Sequence, residues 1–505
     1  MATSTTAELL IHLDPDAGDT LQVQIYAGVR TAILSGRVKP GARLPSSRAL
    51  AADLGVSRTT SLLAIEQLMA EGYVTARPGS GIFVAPDLPD DMSRPLPIRP
   101  VHRKHPPLSC RASMLAELKP RAWRLPGGPR PFRAGTPAVD LLPVGLWSRL
   151  SARRLVAASA SHFDYSDWPP LREAIAAYLQ RARATRCDAD QVVIVAGAQG
   201  GLDLVARLLL DPGDSAWIEE PGHTGTRAAL IGAGARLVPV PVDGDGLVVE
   251  AGVRTAHDAR LACITPSHQF PLGVVMSLTR RLTLLKWASS AGAWIVEDDY
   301  DSAFRYGARP VPSLHGLDDD GRVIYLASFS KTLFPSLRLG FLVVPPDLRD
   351  RFVAARRALD FQPPTLNQAV LADFIGEGHY ERHLRRMRSV YHERLEAMVE
   401  AARRYCGGAL CVRPVLTGLH AVADLDGVDA ECVSREAMAR GVEAMPLSLY
   451  FDRAQAPDAL LLGFGPVRVE DAPDGMRRLA AAIESARLTA SGSRLRSRPR
   501  TRSHR

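Results

Sequence analysis

Between Pro86 and Pro137 the chain carries 12 prolines. Proline fixes φ and removes a backbone donor, so a run this dense cannot be helix or central sheet. Pro95-Leu-Pro97 and Pro106-Pro107 therefore read as a semi-rigid extended linker. That one feature divides the 505 residues into a small N-terminal unit and a large C-terminal one. The boundaries it predicts are 12–85 for the first unit, 86–131 for the linker, 132–488 for the second unit and 489–505 for a basic disordered tail. The net charge of +8 follows the same division. The first 85 residues are neutral, the linker carries +5, residues 132–490 carry −3, and the last 15 carry +6. Bulk charge thus points away from the folded units, and any nucleic-acid site must be found in local chemistry. The 46% hydrophobic content excludes wholesale disorder. No stretch reaches the roughly 18 uncharged apolar residues of a membrane helix, so no membrane partner is expected. The first ten residues lack a basic region before an apolar run, which predicts no secretory signal. The six cysteines show no CxxC and no metal-ligand spacing, as expected of a reduced cytoplasmic protein without a zinc site.

In the small unit, Leu21, Ile25, Val29 and Ile33 recur every fourth residue and predict a helix ending near Gly36. Ser46 or Ser47 can cap a short second helix that stops at Gly55. Ser57 can cap a third, with Leu62, Ile65, Leu68 and Met69 as its buried stripe. Tyr73–Thr75 and Ile82–Val84 read as strands around the turn Arg77-Pro78-Gly79-Ser80-Gly81. That order is a winged helix-turn-helix. In such a motif the start of the second helix faces base edges, which here means Ser57, Arg58, Thr59 and Thr60. Arg58 can fork onto a guanine edge, Arg48 can meet the phosphate backbone, and Arg77 with Gly79 places a cation at the wing tip. An Arg-Thr-Thr alone would be an ordinary helix start; the whole constellation predicts a double-stranded DNA partner.

The large unit alternates apolar strands, among them Val192–Ala196, Leu261–Thr265, Trp294–Val296 and Val323–Leu326, with helical patterns. This predicts an α/β unit with a mostly parallel sheet. Only two of the chain's five lysines, Lys286 and Lys331, lie in it. Lys331 stands in Ser328-Phe329-Ser330-Lys331, with Arg338 seven residues on. A lysine amine can form a Schiff base with an aldehyde cofactor, and hydroxyls with an arginine can hold its phosphate. Taken alone, a surface lysine after a strand is the plainer reading. Three further segments favour the cofactor. Trp294–Val296 runs into Glu297-Asp298-Asp299-Tyr300, where a carboxylate could keep a pyridine nitrogen protonated and a tyrosine could donate to the ring hydroxyl. Gly197-Ala198-Gln199-Gly200-Gly201 offers free N–H groups at a helix start. Thr265–Gly273 would form a wall of the same crevice.

The segments Leu44–Ala51, Leu54–Thr60, Glu71–Tyr73 and Pro78–Gly81 resemble the GntR-type winged helix. The later segments, in order and spacing, resemble the aminotransferase-like fold type I of pyridoxal 5'-phosphate (PLP) enzymes. Together, over about residues 20 to 485, the chain resembles the MocR family of bacterial regulators. The resemblance implies a transcription regulator that senses a ligand in its aminotransferase-like domain, works in the bacterial cytosol and forms a homodimer. It implies that Lys331 is the PLP Schiff-base lysine, Asp298 the pyridinium partner and Tyr300 the ring-hydroxyl partner, with Ala198, Gln199, Ser328, Ser330 and Arg338 as the phosphate cup. His223 stands where relatives stack a tyrosine on the ring; a loop histidine held by its neighbours fits that position equally. The chain departs from the transaminase pattern at Leu461, where an arginine normally holds the substrate carboxylate, with Arg468 nearby but out of register. Gly225 stands where some amino-acid-sensing relatives carry an arginine, and Phe270 and Leu272 replace an asparagine and a threonine. A carboxylate buried without a cation is costly. The departures therefore favour the PdxR-like type, in which PLP is itself the effector and vitamin B6 metabolism the target. Two alternatives remain at this level: a working aminotransferase carrying a DNA-binding head, and a GntR-type repressor that binds another metabolite.

Overall fold

The computed structural model describes residues 9–14, 17–89, 107–118, 130–157, 168–307 and 312–496. The chain divides into two compact units, Met1–Pro106 and Pro107–Arg505.

The first unit contains helices α1 (Leu21–Leu34), α2 (Ser47–Leu54) and α3 (Arg58–Ala70), followed by a hairpin of β2 (Val74–Arg77) and β3 (Gly81–Val84). A short strand β1 (Arg43–Leu44), not foreseen from the sequence, pairs with the outer side of β3. Ser46 caps α2 through a hydrogen bond from Ala49 N. Gly55 closes α2 at φ 67°, a left-handed turn that a side chain would resist. Ile25, Val29, Leu50, Ile65, Leu68, Tyr73 and Val84 form the core. The stripe on α3 is shifted from the expected one. Leu62 is exposed, and Ser61 is buried in its place because its hydroxyl donates to Ser47 O at 2.6 Å. A satisfied hydroxyl can occupy a tight helix crossing that a leucine could not.

The second unit is built on an eight-stranded sheet of order β4-β11-β10-β9-β8-β5-β6-β7. Its strands are β4 (Val192–Val195), β5 (Ser215–Glu220), β6 (Arg236–Asp243), β7 (Gly246–Leu247), β8 (Leu261–Ile264), β9 (Trp294–Asp298), β10 (Val323–Ser328) and β11 (Gly340–Val343). The central pairs β10/β9, β9/β8, β8/β5 and β5/β6 are parallel, while β11 runs antiparallel to both neighbours. Continuous apolar runs such as Val192–Val195 are buried along their whole length, as strands covered on both faces require. A second sheet, order β12-β13-β15-β14, comprises β12 (Leu410–Val412), β13 (His420–Leu425), β14 (Met445–Pro446) and β15 (Ala459–Gly463), all antiparallel. It was not foreseen. Its strands are short and its polar positions too few to show alternation.

Two expectations about unstructured segments change. Within the proline-rich stretch, residues 108–118 hold no proline, and Cys110–Glu117 forms a helix capped by Ser109. At the C-terminus the chain expected to be disordered from 489 continues the last helix, Ala472–Arg496. The remainder of the expected tail, and residues 90–106 and 119–129 of the linker, lie outside the described residues. Among the described residues no helix is long and apolar enough to cross a membrane.

Candidate functional site

In an open α/β sheet, ligands bind beyond the carboxyl ends of the parallel strands. Here β5, β8, β9 and β10 direct His223, Thr265, Asp298 and Ser328 to one side, and the turn after β4 brings Gly197–Gln199 there as well. All nine residues expected around a cofactor, Ala198, Gln199, His223, Asp298, Tyr300, Ser328, Ser330, Lys331 and Arg338, line a single cavity of about 500 Å³.

Asp298 ends β9 and is buried. Burial raises its carboxyl to about 7, with Asp299, Glu219 and Asp301 adding repulsion and Lys331 acting in the opposite sense. Its Oδ1 is buried without a hydrogen-bond partner. A buried acceptor left unmade is costly, so it marks a place where a donor belongs. Asp299, next in sequence, behaves oppositely. Burial disfavours its charge, but the Arg183 guanidinium at 2.7 Å and the Tyr325 hydroxyl bring its carboxyl below the ordinary range. Two adjacent acids are thus separated in role by their partners. Beneath them Glu219 is fully buried, and desolvation raises it to about 7 despite hydrogen bonds from the Thr265 amide and hydroxyl.

The Lys331 ammonium donates to Gly135 O at 2.5 Å. Gly197 opens the following helix at φ 76°, and a Cβ there would come 3.4 Å from the Arg338 guanidinium. The glycine thus lets that guanidinium stand against the N–H groups of the helix start, which suits an anion. Gln199 Nε2 donates to Gly225 O at 2.9 Å. A Cβ on Gly225 would lie 2.4 Å from Gln199 Oε1 and 2.5 Å from the His223 ring. Those two side chains occupy the space a residue at 225 would need. Leu461 is fully buried and packs with Phe270, Val422 and Tyr450. Arg468 is half exposed beside Asp140 and does not reach the cavity wall.

The structure adds members that local motifs did not single out. Asp301, His420, Leu419, Gly135, Leu115 and Leu118 also line the cavity. Behind it, His268 Nδ1 lies 2.9 Å from Asp301 Oδ1 and 3.0 Å from the Tyr300 hydroxyl. His268, Asp301 and His420 bring donor atoms within 4.8 Å of one another, close enough to share a metal ion. Hydrogen bonds already engage these groups, since His420 Nε2 faces Pro271 O at 3.2 Å and His268 is held by Asp301. His268 lay in the anticipated Thr265–Gly273 wall; His420 stands on a strand with no motif around it.

In the first unit, Ser57, Arg58 and Thr59 stand exposed at the start of α3, and Thr60 turns its amide onto Ser57 Oγ at 3.1 Å. Arg48 is exposed in the first turn of α2. Arg77 and Gly79 are exposed at the hairpin tip, where Arg77 lies over the Phe83 ring at 4.8 Å.

Fold and cavity define the class: a helix-turn-helix unit joined to an aminotransferase domain of class I and II type. The profile of aminotransferase class I and II matches residues 151–448, and that of the bacterial regulatory proteins of the gntR family matches 21–84. The chain belongs to the MocR family of HTH-type transcription regulators. It is 40% identical over 481 residues to the probable rhizopine catabolism regulatory protein MocR of Rhizobium meliloti, covering 94% of this chain and 96% of that one. It is 32% identical over 462 residues to the HTH-type pyridoxine biosynthesis transcriptional regulator PdxR of Corynebacterium glutamicum, covering 91% and 95%. Among solved structures, α-aminoadipate aminotransferase LysN of Thermus thermophilus, complexed with N-(5'-phosphopyridoxyl)-L-leucine, superposes at a TM-score of 0.65 with 29% identity, covering 71% of this chain and 92% of that one.

The class I and II aminotransferase family is PLP-dependent, and the residues present fit that group. A buried carboxylate oxygen lacks a partner, one lysine opens on the cavity, and a guanidinium stands over a glycine-initiated helix start.

Proposed function

We propose that the second unit binds PLP at Lys331 and that occupancy of the cavity governs DNA binding by the first unit, with PLP itself as effector. The single observation that carries this reading is the unpartnered Oδ1 of Asp298 in a cavity that also contains Lys331. PLP supplies an aldehyde for the lysine amine and a pyridine nitrogen that, protonated, is a donor. The protein's part is then to hold it. Asp298 accepts from the ring nitrogen, Tyr300 faces the ring hydroxyl, and His223 covers the ring. Ala198, Gln199, Ser328, Ser330 and Arg338 take the phosphate.

PLP as effector, rather than an α-amino acid, is supported by positions 225 and 461, where relatives carry an arginine. Leu461 is buried among apolar side chains, and Gly225 has its space filled by His223 and Gln199. Neither position offers a cation to a ligand carboxylate. The likeness to PdxR supports genes of vitamin B6 metabolism as the target. We further read the protein as a cytoplasmic homodimer in which Ser57, Arg58, Thr59 and Thr60 face base edges of an operator half-site, while Arg48, Arg77 and Gly79 meet the flanking backbone.

The test is absorption spectroscopy of the full chain titrated with PLP. Wild type should develop the visible band of lysine-bound PLP, and Lys331→Ala should not. A band that survives the substitution would remove Lys331 from this role. Consumption of an amino acid by the PLP-loaded protein, with loss of the band, would favour the aminotransferase reading instead.

A further inference from the structure

One wall of the cavity comes from the linker. The helix Cys110–Glu117 begins four residues after Pro106, the limit of the first unit. It packs beside the helix Thr224–Ala233, and its Leu115, with Leu118 at its C-cap, lines the cavity together with Gly225 and Ala228. The opposite walls are different in kind. Asp298 ends β9 and Thr265 directly follows β8, and both, with Phe270, are buried. No residue of the linker helix is buried; Leu115 is 38% exposed and Met114 49%. Ser109 caps it from within, and a 3.4 Å hydrogen bond from Arg111 to Gly232 O ties it to the helix Thr224–Ala233. Its 8 residues make a marginal helix by themselves, and elements with few buried contacts are the ones that detach first. This wall is therefore the least firmly held, and it is covalently continuous with the segment leading to the DNA-binding unit.

We propose that the helix Cys110–Glu117 is the element through which cavity occupancy reaches the DNA-binding unit: a ligand filling the cavity covers Leu115 and Leu118 and holds the helix down, and an empty cavity releases it. The proposal rests on the reading of the cavity as a PLP site. It gives that site a regulatory part, because a helix held by the ligand must in turn hold the ligand. The same leucines set specificity, since they present an apolar outer wall to whatever enters.

Hydrogen exchange of the full chain, with and without PLP, tests this, with the visible absorbance of lysine-bound PLP read on the same samples. Amides of Arg111–Leu118 should exchange at least about tenfold more slowly when PLP is bound. In the double variant Leu115→Ser/Leu118→Ser, PLP affinity should fall by up to about tenfold. Saturated with PLP, that variant should retain fast exchange in the helix and lose the effect of PLP on DNA binding. A normal band with unchanged exchange at 111–118 would overturn the proposal while leaving the cofactor reading intact. So would a variant in which PLP still alters DNA binding as in wild type. Absence of any band would overturn the cofactor reading and this proposal with it.

Discussion

Asp298 and Asp299 stand side by side and differ in what surrounds them. Asp299 has Arg183 and Tyr325; Asp298 faces the cavity. Because burial raises the Asp298 carboxyl to about 7, the unliganded fold binds a proton there that the unfolded chain, with an ordinary carboxyl, has lost. The folded state then holds more protons, so stability falls as pH rises from about 4 to about 7. Glu219, also raised to about 7, adds to the same trend. Asp298→Asn should therefore stabilise the unliganded protein at pH 8, on the order of 1–2 kcal/mol, while weakening PLP binding. Thermal melts with and without PLP check both signs. Arg183 is the converse case. It is buried with Asp299, and removing it leaves a buried charge uncompensated. Arg183→Ala should cost about 3–5 kcal/mol, read as a large fall in melting temperature.

At the level of elements, capping residues were the clearest signals. Ser46, Ser57 and Gly55 each stand at the helix ends their chemistry predicts. Ser57→Ala should lower the stability of the first unit by about 1 kcal/mol, seen as an earlier first step in denaturant unfolding of the full chain. Arg58 begins the same helix, so its loss should leave folding intact. Arg58→Ala should instead weaken operator binding by about 1–3 kcal/mol, and most at one base position, in gel-shift titrations with substituted operators. The parallel strands were legible because burial on both faces writes them as unbroken apolar runs. The sheet β12–β15 was not, because β12 and β14 are only three and two residues long and β13 mixes His420 and Asp424 into its apolar run. His420 was hidden with that strand, and Ser61 was hidden because the partner of its hydroxyl, Ser47, lies on another helix. Lys331, Asp298 and Arg338 were legible because each sits beside a strand end or turn that local sequence marks. The linker helix was obscured by prolines on either side of it.

For the whole molecule, net charge does not coincide with the proposed DNA-reading surface. The first 85 residues are neutral, and the excess lies in the linker and the C-terminal residues. Because the last helix reaches Arg496, the arginines that can add sequence-blind attraction without disturbing it are the four beyond it. Deleting residues 497–505 should flatten the salt dependence of DNA binding, by up to about 0.9 in slope per arginine, and leave operator preference unchanged. Operator titrations at several salt concentrations measure both. In the proposed function the two units divide the work: one would read DNA through a few placed groups, the other would hold a ligand between strand ends and the helix Cys110–Glu117.

The most direct measurement is DNA footprinting on the gene's own upstream region, with and without PLP, for wild type and for Lys331→Ala. The wild-type footprint should change in extent or affinity when PLP is added, and the Lys331→Ala footprint should not respond. A wild-type footprint indifferent to PLP, or a variant that responds as wild type does, would contradict the proposed function.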